Sequence, residues 1–434
     1  MSSSPFLTDL DSRAQVKGSR DPLGIQPIWI RFGRHIIGNL TNASNSLRDF
    51  TATILGYYFA ERVDHEKGSA SALATFIKWE QLAVYSRAYI NHDLVFRGTE
   101  RVQARLADGP RVTLSAETHH QILADQKVYG LWGLYSIPSR ASGLLENDPA
   151  RLTPPAREIV EKVYLPILGS AGIKNGDQIV ALLCESSPRI DLDGKHAKIA
   201  KAVAKMLQKK MMAIEPGFYR DHLLHGGPQD STSGLQRQFA GLLEKVNGKA
   251  GFTMSPASMR ALAKEALPSG KEGALLAEKI ERIATAESVL APASRFFGYL
   301  LGCADTPIEQ IAKHVQGIWG PGLRTIDLKA IQKIGAELGG GVAESEKRWI
   351  AISNSLVAGD YAGLIDGVLE QNKAVMAERG GSPWVVKKGK KLDIRFRDEN
   401  TKLPSRSELS SLWQFPYFIT SLLNISDTIY GRDA

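Results

Sequence analysis

Apolar residues recur every three or four positions over much of the chain, the spacing that lines one face of an α-helix. Leu47, Phe50, Ile54, Leu55, Tyr58 and Phe59 form one such stripe. It is preceded by Asn42, Ser44, Asn45 and Ser46, residue types whose side chains cap helix N-termini. Over residues 69–90, Leu73, Phe76, Ile77 and Val84 mark the apolar face, and Lys78, Glu80 and Arg87 fall elsewhere on the wheel. Residues 195–212 predict a helix with Ile199, Val203, Met206 and Leu207 on one side and Lys198, Lys201, Lys205, Lys209 and Lys210 on the rest. Pro154-Pro155 opens a further helix through residue 163, where proline's missing N–H does no harm. The same periodicity predicts helices near 234–246, 256–267, 272–302, 306–318, 327–337, 343–358 and 360–378.

Two stretches break this rhythm. Residues 99–106 predict a short helix, Asp108-Gly109-Pro110 a turn, and residues 111–114 a short β-type run. Ser115 then caps a predicted helix carrying residues 122–129. This order is compatible with a helix-turn-helix or winged-helix-like unit, and equally with general helical packing. Near the end, residues 384–397 read as two strands around Gly389, and a final helix over 407–424 is expected to kink at Pro416. The expected fold class is therefore mainly α: a multi-domain helical protein with a small C-terminal β-hairpin.

A chain of 434 residues exceeds one ordinary core, so two or three domains are expected. Residues 1–25 read as a loosely held N-terminal arm. The glycine- and serine-rich residues 226–234 suggest the main boundary, giving a first helical domain over 26–228 and a second over 229–434 that holds the hairpin and the last helix. With 43% hydrophobic and 23% charged residues, the composition is that of a folded globular chain. No run approaches the roughly 20 apolar residues that span a bilayer. The first 20 residues lack the apolar core of a secretory signal, so a cytoplasmic location and no membrane association are expected. Cys184 and Cys303 sit in apolar runs and are too few for a disulfide framework or a four-thiolate zinc site.

The formal net charge is +8, which suits a polyanionic partner where the charge is clustered. Six basic residues, Lys387, Lys388, Lys390, Lys391, Arg395 and Arg397, crowd the predicted hairpin with one acid, Asp393, among them. A projecting turn lets several ammonium groups approach a phosphate backbone together, and Arg395 and Arg397 share one strand face at period two. The competing reading is an exposed hairpin whose lysines keep an edge strand from pairing. Arg97, Arg101 and Arg105 repeat every four residues and would line one helix face if the helix starts early enough, with Arg111 beyond. A solvated face with ion pairs is the competing reading there, as it is for the lysine-rich helix.

Catalytic signatures are absent. Ser269-Gly270-Lys271-Glu272 lacks the first glycine and the Ser/Thr of a phosphate loop, and Gly339-Gly340-Gly341 follows no strand. Asp191-Leu192-Asp193-Gly194 resembles the start of a calcium loop without its later ligands, and reads better as a turn capping the next helix. His222 and His225 lack the His-Glu-x-x-His spacing and read as helix-terminal histidines. His119 and His120, adjacent on a predicted helix, would point apart and make a poor chelate. No metal site and no cofactor are expected. The sequence therefore leads to a non-catalytic nucleic-acid-binding subunit, DNA before RNA, with protein partners in a larger bacterial-type assembly. Two alternatives stand beside it. One is a metal-dependent nuclease or hydrolase using Asp191, Asp193 and His196. The other is a helical interaction scaffold in an antiviral defence or DNA-processing complex, a context that no motif carries.

Overall fold

The computed structural model describes residues 21–67, 72–246, 252–398 and 400–432, so residues 1–20 of the expected arm lie outside the described residues. The protein is mainly helical, and its strands form only three two-stranded antiparallel pairs among the described residues. The chain forms two compact units that interleave in sequence: Met1–Ile36 with Lys249–Tyr417, and Ile37–Gly248 with Phe418–Ala434. They are called here the outer-segment unit and the inner-segment unit.

The inner-segment unit is built on the Leu47–Lys67 and Ala72–Asn91 helices, which pack on each other and are covered by Ala197–Met206, Leu131–Ala141 and Asp177–Cys184. Gly56 permits the close approach: a Cβ there would stand 2.6 Å from the Phe76 ring and 2.8 Å from Trp79. Tyr57 stacks on Trp132 at 5.1 Å, and the Trp79 indole N–H donates to the Ala52 carbonyl at 2.8 Å. The Ala72–Asn91 helix departs from the expected one-sided pattern. Every residue from Thr75 to Ala88 is buried, Lys78, Glu80 and Arg87 included. A helix sheathed on all sides has no polar face to offer water, so each of these charges is met by a protein partner. Lys78, for example, donates to the carbonyls of Leu183 and Glu185.

The lysine-rich helix spans Ala197–Met206, with Ile199, Val203, Met206 and Leu207 buried and Lys198, Lys201 and Lys205 exposed. It ends before Lys209 and Lys210, whose carbonyls accept from Arg48. The short strand Arg111–Thr113 pairs not with a chain neighbour but with Arg189–Asp191, in the register Arg111↔Asp191. Residues 226–234 lie within this unit, where the Asp230 carboxylate accepts from the Thr232 and Gly234 amides at 2.9 and 2.7 Å.

The outer-segment unit has the Gly270–Leu300 helix as its spine, contacted by Gln26–Arg34, Pro256–Ala266, Ser345–Ala358 and Tyr361–Glu378. The last two helices turn at Gly359, which takes φ +70°, and Asp360 caps the second by accepting from the Gly363 amide at 2.9 Å. The final helix predicted over 407–424 is broken rather than kinked: Arg406–Ser411 and Ile419–Tyr430 are separate. Pro416 brings no N–H, and Tyr417 and Phe418 take φ +44° and +64°, which no helix accommodates. No helix among the described residues is long and apolar enough to cross a membrane.

Candidate nucleic-acid interface

The C-terminal hairpin forms as the sequence suggests. Val385–Lys388 pairs with Lys391–Ile394, Lys388 faces Lys391, and Gly389 at φ +62° makes the turn with Lys390. Val385, Leu392 and Ile394 are buried and fasten the hairpin to the unit, and Trp384 packs on Phe396 at 4.3 Å. The outer edge of the second strand is not bare. Ile308 donates its amide to the Lys390 carbonyl at 2.9 Å, and Pro307 bridges to Lys391. With that edge covered, lysine is not needed there to prevent strand pairing.

The six basic residues separate into distinct roles. Lys388, Lys390 and Lys391 are exposed at the tip and form no ion pair among the described residues. Lys387 is ion-paired to Asp366 of the Tyr361–Glu378 helix. Arg395 and Arg397 do not share a strand face, because the ladder stops at Ile394 and the chain bends at 395–396. The Trp384 carbonyl captures the Arg395 amide at 2.8 Å, leaving Arg395 half-buried and Arg397 exposed.

The expected arginine face dissolves. The helix begins at Thr99 after Gly98 at φ +83°, so Arg97 precedes it. Arg105 spends its guanidinium on main-chain carbonyls of His119 (2.9 Å), His120 (2.5 Å) and Gln121 (3.1 Å) and on the Tyr85 hydroxyl (2.9 Å). Arg101 donates to the Gln121 carbonyl at 3.2 Å, and Arg111 pairs with Asp191 at 3.1 Å. Arg105 is thus a clamp on residues 119–121, and of this set Arg97 alone stands exposed without an ion pair or hydrogen bond among the described residues.

A second cationic feature of the outer-segment unit left no local mark in the sequence. A cavity of about 370 Å³ is lined by Arg260, Arg324 and Arg406, from three separate elements, and by no aspartate or glutamate. Pro256 and Ala257, the first turn of the Pro256–Ala266 helix, open onto it, as do Pro292, Leu409 and Leu412. Arg260 reaches Glu281 only at 3.6 Å, and Arg406 donates to the Trp319 carbonyl at 2.9 Å. Guanidinium groups favour an anion with planar or tetrahedral oxygens.

The acidic candidates for metal chemistry are already engaged. One Asp191 oxygen accepts from Arg111 and the other from the amides of Asp193 (3.3 Å) and Gly194 (2.9 Å), which together hold its carboxyl below the usual range, Arg111 most of all. His196 accepts the Asp191 amide on Nδ1 at 3.0 Å. Among the described residues this turn does not meet a third His, Cys, Asp or Glu in a ligand-sized group. His222 is buried with Nδ1 2.8 Å from the Ser142 carbonyl, and His225 caps its helix end beside Asp221.

One expectation fails in an informative way. The helix predicted through 122–129 is only Gln126–Tyr129, and residues 118–120 form a single 3-10 turn. In that turn the His119 and His120 rings lie 4.1 Å apart, and Glu117 joins them in a group whose potential ligand atoms all fall within 4.8 Å. Partial burial, with His119 and Arg105 nearby, holds His120 below the usual histidine range.

Compared with known protein families, curated protein sequences and solved structures, the chain has no significant match.

Proposed function

We propose that the outer-segment unit binds the phosphate backbone of nucleic acid, DNA in the first instance, as a non-catalytic subunit of a larger assembly. The observation that carries this reading is the hairpin tip. Lys388, Lys390 and Lys391 project, without ion pairs among the described residues, from a hairpin whose base is buried and whose second strand is covered along its outer edge. The acid-free arginine cavity of the same unit supports the same class of ligand. Contacts of this kind read charge and spacing rather than sequence, so affinity without strong base preference is expected. Exposed Val128, Tyr129 and Ile137, on two helices that pack on each other, support a protein partner for the inner-segment unit.

The test is the Lys388→Glu, Lys390→Glu, Lys391→Glu triple variant, with Lys387 left to its pair with Asp366. Duplex affinity is titrated by fluorescence anisotropy from low to moderate salt. Each lost phosphate contact removes roughly 0.9 from the slope of log affinity against log salt, so a decrease of about 2–3 is expected. Equal affinity and slope in the wild type and the variant would overturn the reading.

A further inference from the structure

We propose that Glu117, His119 and His120 form a solvent-open, three-ligand site for a divalent transition metal of the zinc, copper or nickel class. The group comes from four consecutive residues, and its geometry depends on the turn that they adopt. The Glu117 carboxylate lies 3.5 Å from His119 Nε2. Ligand atoms around a tetrahedral zinc with bonds near 2.0–2.1 Å stand about 3.4 Å apart. The remaining separations, all within 4.8 Å, close by small rotations of side chains that are exposed or half-exposed.

The scaffold beneath the ligands is fixed. Arg105 grips the carbonyls of His119, His120 and Gln121 at once, and Gln121 Nε2 donates back to the Ala116 carbonyl at 2.8 Å. Gln81 holds the start of the segment, exchanging hydrogen bonds of 2.8 Å with the amide and carbonyl of Ser115. The main chain on both sides of the ligands is therefore tied to the buried Ala72–Asn91 helix through Gln81 and to the Thr99–Ala107 helix through Arg105, and the side chains are left to move. The Arg105 guanidinium gives its hydrogen bonds to main-chain oxygens and the Tyr85 hydroxyl, and none to the imidazoles.

The donor set selects the ion. Two imidazoles and one carboxylate suit zinc, copper or nickel, whereas magnesium and calcium demand mostly oxygen ligands. Three protein donors leave at least one coordination position for water or a ligand supplied from outside the chain.

The experiment uses the full chain without a histidine tag. Zinc uptake is titrated in competition with a chromophoric chelator, and cobalt(II) is added separately to read its visible absorption. One equivalent of zinc is expected, together with the absorption of low-coordinate cobalt. His119→Ala and His120→Ala should each weaken uptake by more than about tenfold, the lower end of what even an outer-shell change costs a metal site. Glu117→Gln should weaken it less, and His314→Ala, an exposed histidine of the other unit, should leave it unchanged. Circular dichroism confirms that the variants fold, as expected for exposed positions. The proposal is overturned if the wild type takes up no zinc, if either histidine variant binds as tightly as the wild type, or if His314→Ala causes the same loss.

Discussion

The two units handle charge in opposite ways. The inner-segment unit buries Arg48, Asp49, Lys78, Glu80, Arg87 and Glu215, whereas Glu287 is the one charged residue buried in the outer-segment unit among the described residues. The difference follows from architecture. The Leu47–Lys67 and Ala72–Asn91 helices are buried on all sides over residues 47–60 and 75–88, so the polar residues there had to be matched inside the core. In the outer-segment unit the cations stay at the surface, on the hairpin tip and around the arginine-lined cavity. Charges already matched inside a core are unavailable to a ligand. Both units keep cations at the surface, Arg97, Lys198, Lys201 and Lys205 among them in the inner-segment unit, but in the outer-segment unit they cluster at the hairpin tip and around one cavity, and this clustering is why the interface is proposed there.

Breaking a buried pair should produce the largest effect. Arg48 and Glu215 are 5% and 0% exposed and meet in a two-pronged contact of 2.6 and 3.1 Å. Glu215 also accepts from the Tyr164 hydroxyl at 2.5 Å and the Met212 amide at 2.6 Å. Removing one member leaves an uncompensated buried charge, which costs about 3–5 kcal/mol. Glu215→Gln should therefore lower stability by that amount in urea denaturation, and the Arg48→Met, Glu215→Gln double variant should regain part of the loss. A single-variant cost under about 1 kcal/mol would show that water reaches this pair and would break the contrast between the units.

The buried glutamates sharpen the comparison, since each unit has one whose carboxyl is pushed up to about 7 by burial: Glu80 and Glu287. A folded-state value raised above the unfolded one means that the native protein binds the extra proton. The stabilisation is complete below about pH 4.5 and is lost as pH rises toward 7, at up to roughly 1.4 kcal/mol per pH unit for each group. Their partners differ. Glu287 accepts from the amides of Gln414 and Phe415 on one oxygen and faces the Tyr417 hydroxyl on the other, 2.8 Å away. That hydroxyl can turn to accept, so Glu287→Gln fits and should flatten this share of the pH dependence. Glu80 faces two obligate donors, the Leu131 amide at 2.9 Å and Gln126 Nε2 at 2.8 Å. Glu80→Gln would set donor against donor and should destabilise at every pH. Melting temperatures from pH 5 to 8 test both, and identical profiles for the two variants would contradict the assignment of donors.

Much of this fold was legible because its helices carry apolar stripes, and the hairpin because Gly389 interrupts a run between two β-rich segments. The burial of Lys78, Glu80 and Arg87 was not, since a local pattern shows which side of a helix is apolar but not whether the polar side is also covered. Arg105 read as a surface cation because its partners are main-chain carbonyls 14–16 residues away, which leave no trace in residue type. The Glu117, His119 and His120 group was hidden by the wrong local structure: side chains adjacent on a helix diverge, and in this 3-10 turn the two rings come together. Arg260, Arg324 and Arg406 are assembled only by tertiary packing.

The smallest effect is the most direct control on the contrast between buried and surface charge. Lys387 and Asp366 form an ion pair like Arg48 and Glu215, but they are 40% and 55% exposed. Water already solvates both ions, so little desolvation is at stake when the pair forms or breaks. Exposed pairs contribute about 0.2–1 kcal/mol and weaken with salt. A double-mutant cycle of Lys387→Ala and Asp366→Ala should give a coupling in that range that declines as salt is raised. The Asp366→Ala single variant has a further use. It releases a fourth lysine next to the tip, and duplex affinity at low salt should rise by a few-fold if the tip is the contact surface. Because Asp366 lies on a helix flank and takes no part in the core, that gain would come without loss of stability beyond the coupling itself. Unchanged affinity in Asp366→Ala would place the contact elsewhere in the unit, with the arginine-lined cavity as the next surface to mutate.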